Sequence, residues 1–148
     1  MKKAVVVAVG KIKETFLKEG IAEYSKRLSR FCDFFVKETE ESKREDIAEE
    51  GRAVCKELGG GYNIIFDING DFVTSGQFAE IIANAYLNHD RINFVVGGSK
   101  GLDGTVKSLA SKRISFGRVT YPHMLFRLLL CEQIYRAFTI NAGLPYHK

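Results

Sequence analysis

Short runs of β-branched and apolar residues alternate with segments of helical periodicity along the whole chain. That alternation restricts the possible folds more than any other feature, because strands separated by helices pair in parallel and need cover on both faces of the sheet. Ala4–Val9 is the first strand, and Lys13 to about Arg30 is helical, with Phe16, Leu17, Ile21, Tyr24 and Leu28 at helical spacing. Phe34–Glu38 is a second strand, and Ser42–Leu58 is a charged, weakly amphipathic helix closed by Gly59-Gly60-Gly61. Tyr62–Asp67 is a third strand leading to a turn at Asn69-Gly70, and Thr74 or Ser75 caps a helix to about Asn88. Asn93–Val96 is a fourth strand, Asp103 or Gly104 opens a short helix to about Ala110, and Arg113–Phe116 is a fifth strand. Pro122 suits the first turn of a long final helix that ends near Asn141-Ala142-Gly143.

These elements predict an α/β fold: a mainly parallel sheet of about five strands with helices on both faces. At 148 residues, with no Pro/Ser-rich linker and no internal repeat, the expectation is one domain over residues 1–148. A hydrophobic fraction of 45% and a charged fraction of 27% exclude the disordered, collagen-like and low-complexity classes. The opening run Ala4–Val9 is too short for the apolar core of a signal peptide, and no stretch reaches the roughly 18 apolar residues of a membrane span. Cys32, Cys55 and Cys131 are odd in number, widely spaced and in no CxxC pair, which speaks against a disulfide framework or a zinc site and for a reducing compartment. The expected location is the cytoplasm.

Net charge is +4 but unevenly spread: residues 1–30 carry +5, residues 31–60 carry −4, residues 61–100 carry −2 and residues 101–148 carry +5. Two basic ends on a mixed surface suit a polyanion such as nucleic acid.

Ligands in open α/β sheets sit beyond the carboxyl ends of the strands, which singles out the loops after Asp67, Val96 and Phe116. The loop Gly97-Gly98-Ser99-Lys100-Gly101 joins a strand to a helix, where glycines let backbone approach a ligand; its spacing is neither a Walker A loop nor GxGxxG. In Phe116-Gly117-Arg118-Val119-Thr120-Tyr121-Pro122-His123, Thr120 is placed to cap the final helix and His123 stands at its start. The three histidines are too scattered for a metal site. Within the final helix, Met124–Leu130 is apolar at every position except Arg127, and the outer side of such a segment needs a second subunit to cover it. Glu132 and Arg136 have the spacing of an i,i+4 ion pair. The closing Tyr146-His147-Lys148 is polar, and composition alone predicts that it frays.

Several segments together resemble one family. FVVGGSKGL at Phe94–Leu102 is similar to its cofactor loop, and Ile114–Lys148 is similar to its C-terminal signature, including Pro-His at the helix start, Glu-Gln-x-Tyr-Arg-Ala within it and Pro-Tyr-His-Lys at the close. VAVGKIKE, EYSKRL and IFDINGDFVTSGQFA fit as well. The chain resembles the ribosomal RNA large subunit methyltransferase H (RlmH) family of the SPOUT superfamily along essentially its whole length. The resemblance implies a C-terminal trefoil knot, a homodimer, and S-adenosylmethionine bound in the knot. It also implies methylation of N3 of a pseudouridine in the helix 69 stem-loop of 23S ribosomal RNA, on assembled ribosomes and without a metal.

Carried over by position, the cofactor pocket involves Phe66, Gly97 and Gly98, and Phe116, Gly117, Arg118, Val119, Thr120 and Tyr121. The expected catalytic residues are His147, as proton acceptor, and Tyr146, which stacks on or hydrogen-bonds the flipped base. The tail is expected beside the cofactor pocket of the partner subunit, with His123 as the alternative base. Arg136 and Lys148 are expected to hold RNA phosphates and to stabilise an imide anion. Two positions depart from the family pattern: Asp71 stands where relatives often have lysine, and Ser99-Lys100 where some have Pro-Glu. Without the resemblance, the residues leave open a non-catalytic RNA-binding module and a nucleotide-binding regulatory domain.

Overall fold

The computed structural model describes residues 1–148 and contains β1 (Lys3–Val9), α1 (Thr15–Leu28), β2 (Asp33–Thr39), α2 (Ile47–Leu58), β3 (Tyr62–Phe72), α3 (Ser75–Asn88), β4 (Arg91–Val96), α4 (Gly104–Ser108), β5 (Lys112–Ser115) and α5 (His123–Asn141). The five strands form one sheet in the order β2-β1-β4-β3-β5, with every neighbouring pair parallel. In β1, Ala4, Val6 and Ala8 face a core built with α1, α3 and α5, while Val5, Val7 and Val9 face a second core built with α2 and α4. Side chains alternate across a strand, so a strand covered on both faces must be apolar at every position. That is why Ala4–Val9 reads as an unbroken apolar run. Each buried valine contributes roughly 1.5–3 kcal/mol relative to exposure.

The elements follow the sequence reading closely, with four differences. First, α2 begins at Ile47 and not at Ser42. Asp46 is its cap, its carboxylate accepting the amides of Ala48 at 3.0 Å and Glu49 at 3.2 Å, and Ser42 is buried in the preceding turn with its amide on Glu50 at 2.9 Å. Second, Asn69-Gly70 lies within β3 and makes no hairpin turn. The strand shifts register against β5 between Phe66 and Asp71 and then pairs again, Asp71 with Ile114 and Phe72 with Ser115. Gly70 permits this by close approach, since a β-carbon there would lie 2.7 Å from the Ile114 nitrogen.

Third, Thr120 does not cap α5; Pro122 takes the cap position and its carbonyl accepts the Phe126 amide at 2.9 Å. Proline fits there because it has no N–H to leave unpaired. Fourth, the closing residues are ordered, against the fraying that composition alone predicts and in keeping with the order expected from the resemblance. The Leu144 amide bonds the Thr139 carbonyl at 2.9 Å, with Gly143 at φ +70°, in the left-handed conformation common after a helix end.

The capping of α3 agrees with expectation. Thr74 accepts the Gln77 amide, and Gln77 reaches back to the Thr74 amide. In α5 the single charged residue of Met124–Leu130 is fully buried, while Leu125 and Leu129 remain half-exposed. Cys32 and Cys131 are buried thiols, each pushed up by burial to about 12, and Cys55 is half-buried. No helix is long and apolar enough to cross a membrane.

Candidate active site

The carboxyl ends of β3, β4 and β5 and the start of α5 enclose a cleft of about 260 Å³, half of whose lining residues are hydrophobic. Phe66, Gly97, Gly98 and all six residues of the 116–121 loop line it. The loops after Val96 and Phe116 therefore meet in one place, beside Phe66–Ile68, which belong to β3 and not to the loop expected after Asp67. An aromatic cluster supports its floor: Phe66 stands 5.1 Å from Phe116 and 5.5 Å from Phe126 between ring centroids, both edge-on.

Backbone geometry explains the glycines. A β-carbon at Gly97 would lie 2.7 Å from the Gly101 carbonyl carbon, so glycine is needed for close approach within the loop; φ at Gly97 and Gly98 is not positive. Gly117 does adopt φ +122°, where other residues are strained, and its amide and carbonyl are both tied to the Ser115 hydroxyl, at 3.2 and 2.9 Å.

Polar groups at the cleft were less visible in the sequence. Asp67, at the end of the regular part of β3, has a side chain only 2% exposed. Arg113 binds its Oδ2 from both Nε and Nη2, Lys107 stands 3.6 Å away, and the Asn69 amide donates to Oδ1 at 3.1 Å. Burial alone would raise this carboxyl; the Asn69 amide and the Arg113 and Lys107 charges outweigh it and hold Asp67 below the usual carboxylate range. The Nε2 of His123 is buried at the cleft wall without a hydrogen-bond partner. Sequence reasoning named His123 but missed Asp67, whose partners lie 40 and 46 residues further along the chain. No group of three or more metal-ligating side chains occurs.

The departing positions have plain surroundings. Asp71 is exposed on the outer part of β3. Lys100 turns toward Glu45 at 3.8 Å, an exposed pair worth little to stability.

The tail does not enter its own cleft. The Tyr146 hydroxyl donates to Glu132 at 2.8 Å and also meets Tyr24, and its ring stands edge-on to Tyr135 at 4.8 Å. Burial first, and then the bonds to Tyr24 and Glu132, push the Tyr146 phenol well up, so it stays protonated. Glu132 also receives Arg136, Nη2 at 2.7 Å and Nε at 3.4 Å, which forms the expected i,i+4 pair. The Arg136 Nη1 lies 3.0 Å from His147 Nδ1. Arg136 thus directs three of its five N–H donors to Glu132 and His147. This docking point lies nine residues beyond His123 on α5, roughly 14 Å along the helix axis. Lys148 is exposed.

A glycine-lined cleft at the carboxyl ends of a parallel sheet, closed by the start of the last helix, defines a small-ligand site of the α/β class. The family model described as "Predicted SPOUT methyltransferase" matches residues 1–147, and the chain belongs to this family. It is 43% identical to the ribosomal RNA large subunit methyltransferase H of Clostridium botulinum (strain Okra / Type B1), with 97% of this chain and 98% of that protein covered. Identity and coverage are the same with the protein of that name from Streptococcus pneumoniae (strain CGSP14). Among solved structures, the fold is similar to the tRNA (m1G37) methyltransferase from Aquifex aeolicus, with a TM-score of 0.55 at 15% identity, covering 98% of this chain and 71% of that one. A probable methylase family protein from Haemophilus influenzae Rd KW20 aligns with a TM-score of 0.53 at 10% identity, covering 99% and 70%.

Proposed function

We propose that residues 1–148 form one methyltransferase domain that uses S-adenosylmethionine to methylate N3 of a pseudouridine in the helix 69 stem-loop of 23S ribosomal RNA, on assembled ribosomes. The observation that carries this reading is 43% identity along almost the whole length of two proteins named for methylating large-subunit ribosomal RNA. The cleft supports it. Its aromatic and aliphatic wall suits a nucleoside, and at Gly97, Gly98 and Gly101 backbone without side chains lines it. The Gly97–Gly98 and 116–121 loops would hold the cofactor, with Phe66 packing against it.

When bound, the cofactor supplies a methyl group on a sulfonium, which leaves as its bond to sulfur breaks and the electron pair stays on sulfur. The protein orients the acceptor and handles the N3 proton. Tyr146 and His147 are the residues assigned to the acceptor base, Lys148 to an RNA phosphate, and the unpartnered Nε2 of His123 is the second candidate for proton handling.

Within one chain the tail and the cleft stand apart, so a homodimer in which one copy's tail completes the other's cleft follows. Two features favour it. Leu125 and Leu129 on α5 are incompletely covered, and an apolar trench lined by Val73, Phe126 and Leu129 adjoins the cleft. A C-terminal trefoil knot fits the family and the path of α5. That helix leaves from edge strand β5, yet its Arg127 bonds the Val9 and Gly10 carbonyls at the end of β1. The expected location is the cytoplasm, where the ribosomes are.

The test is transfer of labelled methyl from S-adenosylmethionine to ribosomes that lack this modification. Incorporation into ribosomal RNA supports the assignment. Ribosome binding without incorporation, in the presence of bound cofactor, would leave a non-catalytic RNA-binding module.

A further inference from the structure

We propose that Arg136, anchored by Glu132, fixes His147 in the tautomer that carries its proton on Nε2, so that the tail offers the substrate base a hydrogen-bond donor and not a proton acceptor. This rests on the methyl-transfer reading above and assigns His147 a different part in it.

A guanidinium has only N–H donors, so the 3.0 Å approach of Arg136 Nη1 to His147 Nδ1 requires a lone pair on Nδ1. In a neutral ring the proton is then on Nε2. A doubly protonated ring would set two donors against each other and lose the contact. Arg136 cannot easily turn away. Its Nη2 and Nε are held by the Glu132 carboxylate, and its guanidinium lies 5.0 Å from the Tyr146 ring centroid. Glu132 is itself fixed, accepting the Tyr146 hydroxyl at 2.8 Å and the Gln133 amide at 3.0 Å, and Gln133 is tied to Ser75 at 2.7 Å. One carboxylate thus secures the tail twice, directly through Tyr146 and through Arg136 to His147. His147 is otherwise exposed, which leaves Nε2–H available to a substrate.

Loss of the N3 proton from an imide leaves negative charge shared between N3 and its two flanking carbonyl oxygens. A positioned donor on one of those oxygens stabilises that anion and so promotes loss of the proton, which passes to solvent water. The Nε2–H of His147 performs this role, and Arg136 and Glu132 are positioning residues behind it.

Two measurements test this on the full chain. Long-range proton–nitrogen NMR of protein labelled with ¹⁵N-histidine reads the tautomer without turnover. The chain has 3 histidines, so His147→Gln identifies the resonance. The expected form at neutral pH is Nε2–H, kept in Arg136→Lys, which retains a donor, and replaced by a mixture in Arg136→Leu, which has none. A wild-type ring protonated on Nδ1 or on both nitrogens, or a tautomer unchanged in Arg136→Leu, would overturn the positioning. In methyl transfer to ribosomes, His147→Gln keeps an N–H near the Nε2 position but cannot act as a base, whereas His147→Ala has neither property. Glutamine is expected to stay within about 10-fold of wild-type kcat and alanine to fall about 100-fold or more, with cofactor affinity unchanged in both. Equal losses in the two variants would restore His147 as the base, and no loss in either would remove it from the reaction. A wild-type protein that transfers no methyl at all would sink the underlying reading and this role together, while the tautomer would still be read independently by NMR.

Discussion

The guanidinium of Arg127 is wholly buried and lies 2.8 Å from the carboxylate of Glu38, on the same oxygen that accepts the Ile12 amide at 2.8 Å. Arg127 also donates to the Val9 and Gly10 carbonyls at 3.0 Å each. It thereby fastens α5 to the ends of β1 and β2, beside the cleft. Burial, set against the Glu38 charge, lowers the Arg127 pKa from its ordinary value, yet the group stays charged at any working pH. Arg127→Met leaves two backbone carbonyls and a carboxylate without their partner. Glu38 is 30% exposed, so water recovers part of the loss, and the expected destabilisation is about 2–4 kcal/mol. Urea unfolding measures it, and a change below about 0.5 kcal/mol would show that the cluster is not holding the helix in place.

Asp67 gives the fold a defined acid limb. Its folded pKa is lowered, so its contribution is fully present above the unfolded carboxyl value of about 3.9 and is lost as pH falls through the lower folded value. Asp67→Asn should cost about 1–3 kcal/mol at pH 7 and make stability less dependent on pH below about 4. Unfolding curves collected across that range decide the point; parallel acid limbs in the two proteins would assign the pH dependence to other carboxylates.

The glycine loop is the most direct handle on the cofactor. A β-carbon at Gly97 meets Gly101 backbone at 2.7 Å, and one at Gly98 meets the Val9 side chain at 3.2 Å. Gly97→Ala is expected to weaken S-adenosylmethionine binding at least about 10-fold, and Gly98→Val to abolish it, with circular dichroism unchanged. Calorimetric affinity equal to wild type in a folded Gly98→Val protein would place the cofactor elsewhere.

Much of this was legible in the sequence because the strands are buried on both faces. Ala4–Val9 and Asn93–Val96 could be little else, and strand order then pointed to the loops that line the cleft. Local capping rules found Thr74, but chose Thr120 over Pro122 because no local signal reveals which residue starts α5 when no side chain caps it. The Asn69-Gly70 pair reads as a turn in isolation; pairing with β5, contributed by residues more than forty positions later, keeps it extended. The same limit hid Asp67–Arg113 and the burial of Arg127, whose partners are long-range. Tail order was invisible to composition because it comes from Glu132 and Tyr135 on a helix already formed.

The uncovered side of α5 predicts a dimer. Light scattering at micromolar concentration should give twice the 16.6 kDa chain mass, and Leu129→Glu should give monomers or aggregate. Monomeric wild-type protein would contradict the shared site.

Under the proposed function, methyl transfer goes to one base and needs the tail. The decisive measurement is mass spectrometry of the helix 69 fragment cut from ribosomes that lack the modification, after incubation with S-adenosylmethionine and either the full chain or one ending at Pro145. The full chain should add one methyl at N3 of the pseudouridine. The shortened chain should bind S-adenosylmethionine nearly as well yet methylate slower by about 100-fold or more. A methyl on another nucleotide, or an equal rate from the shortened chain, would contradict it.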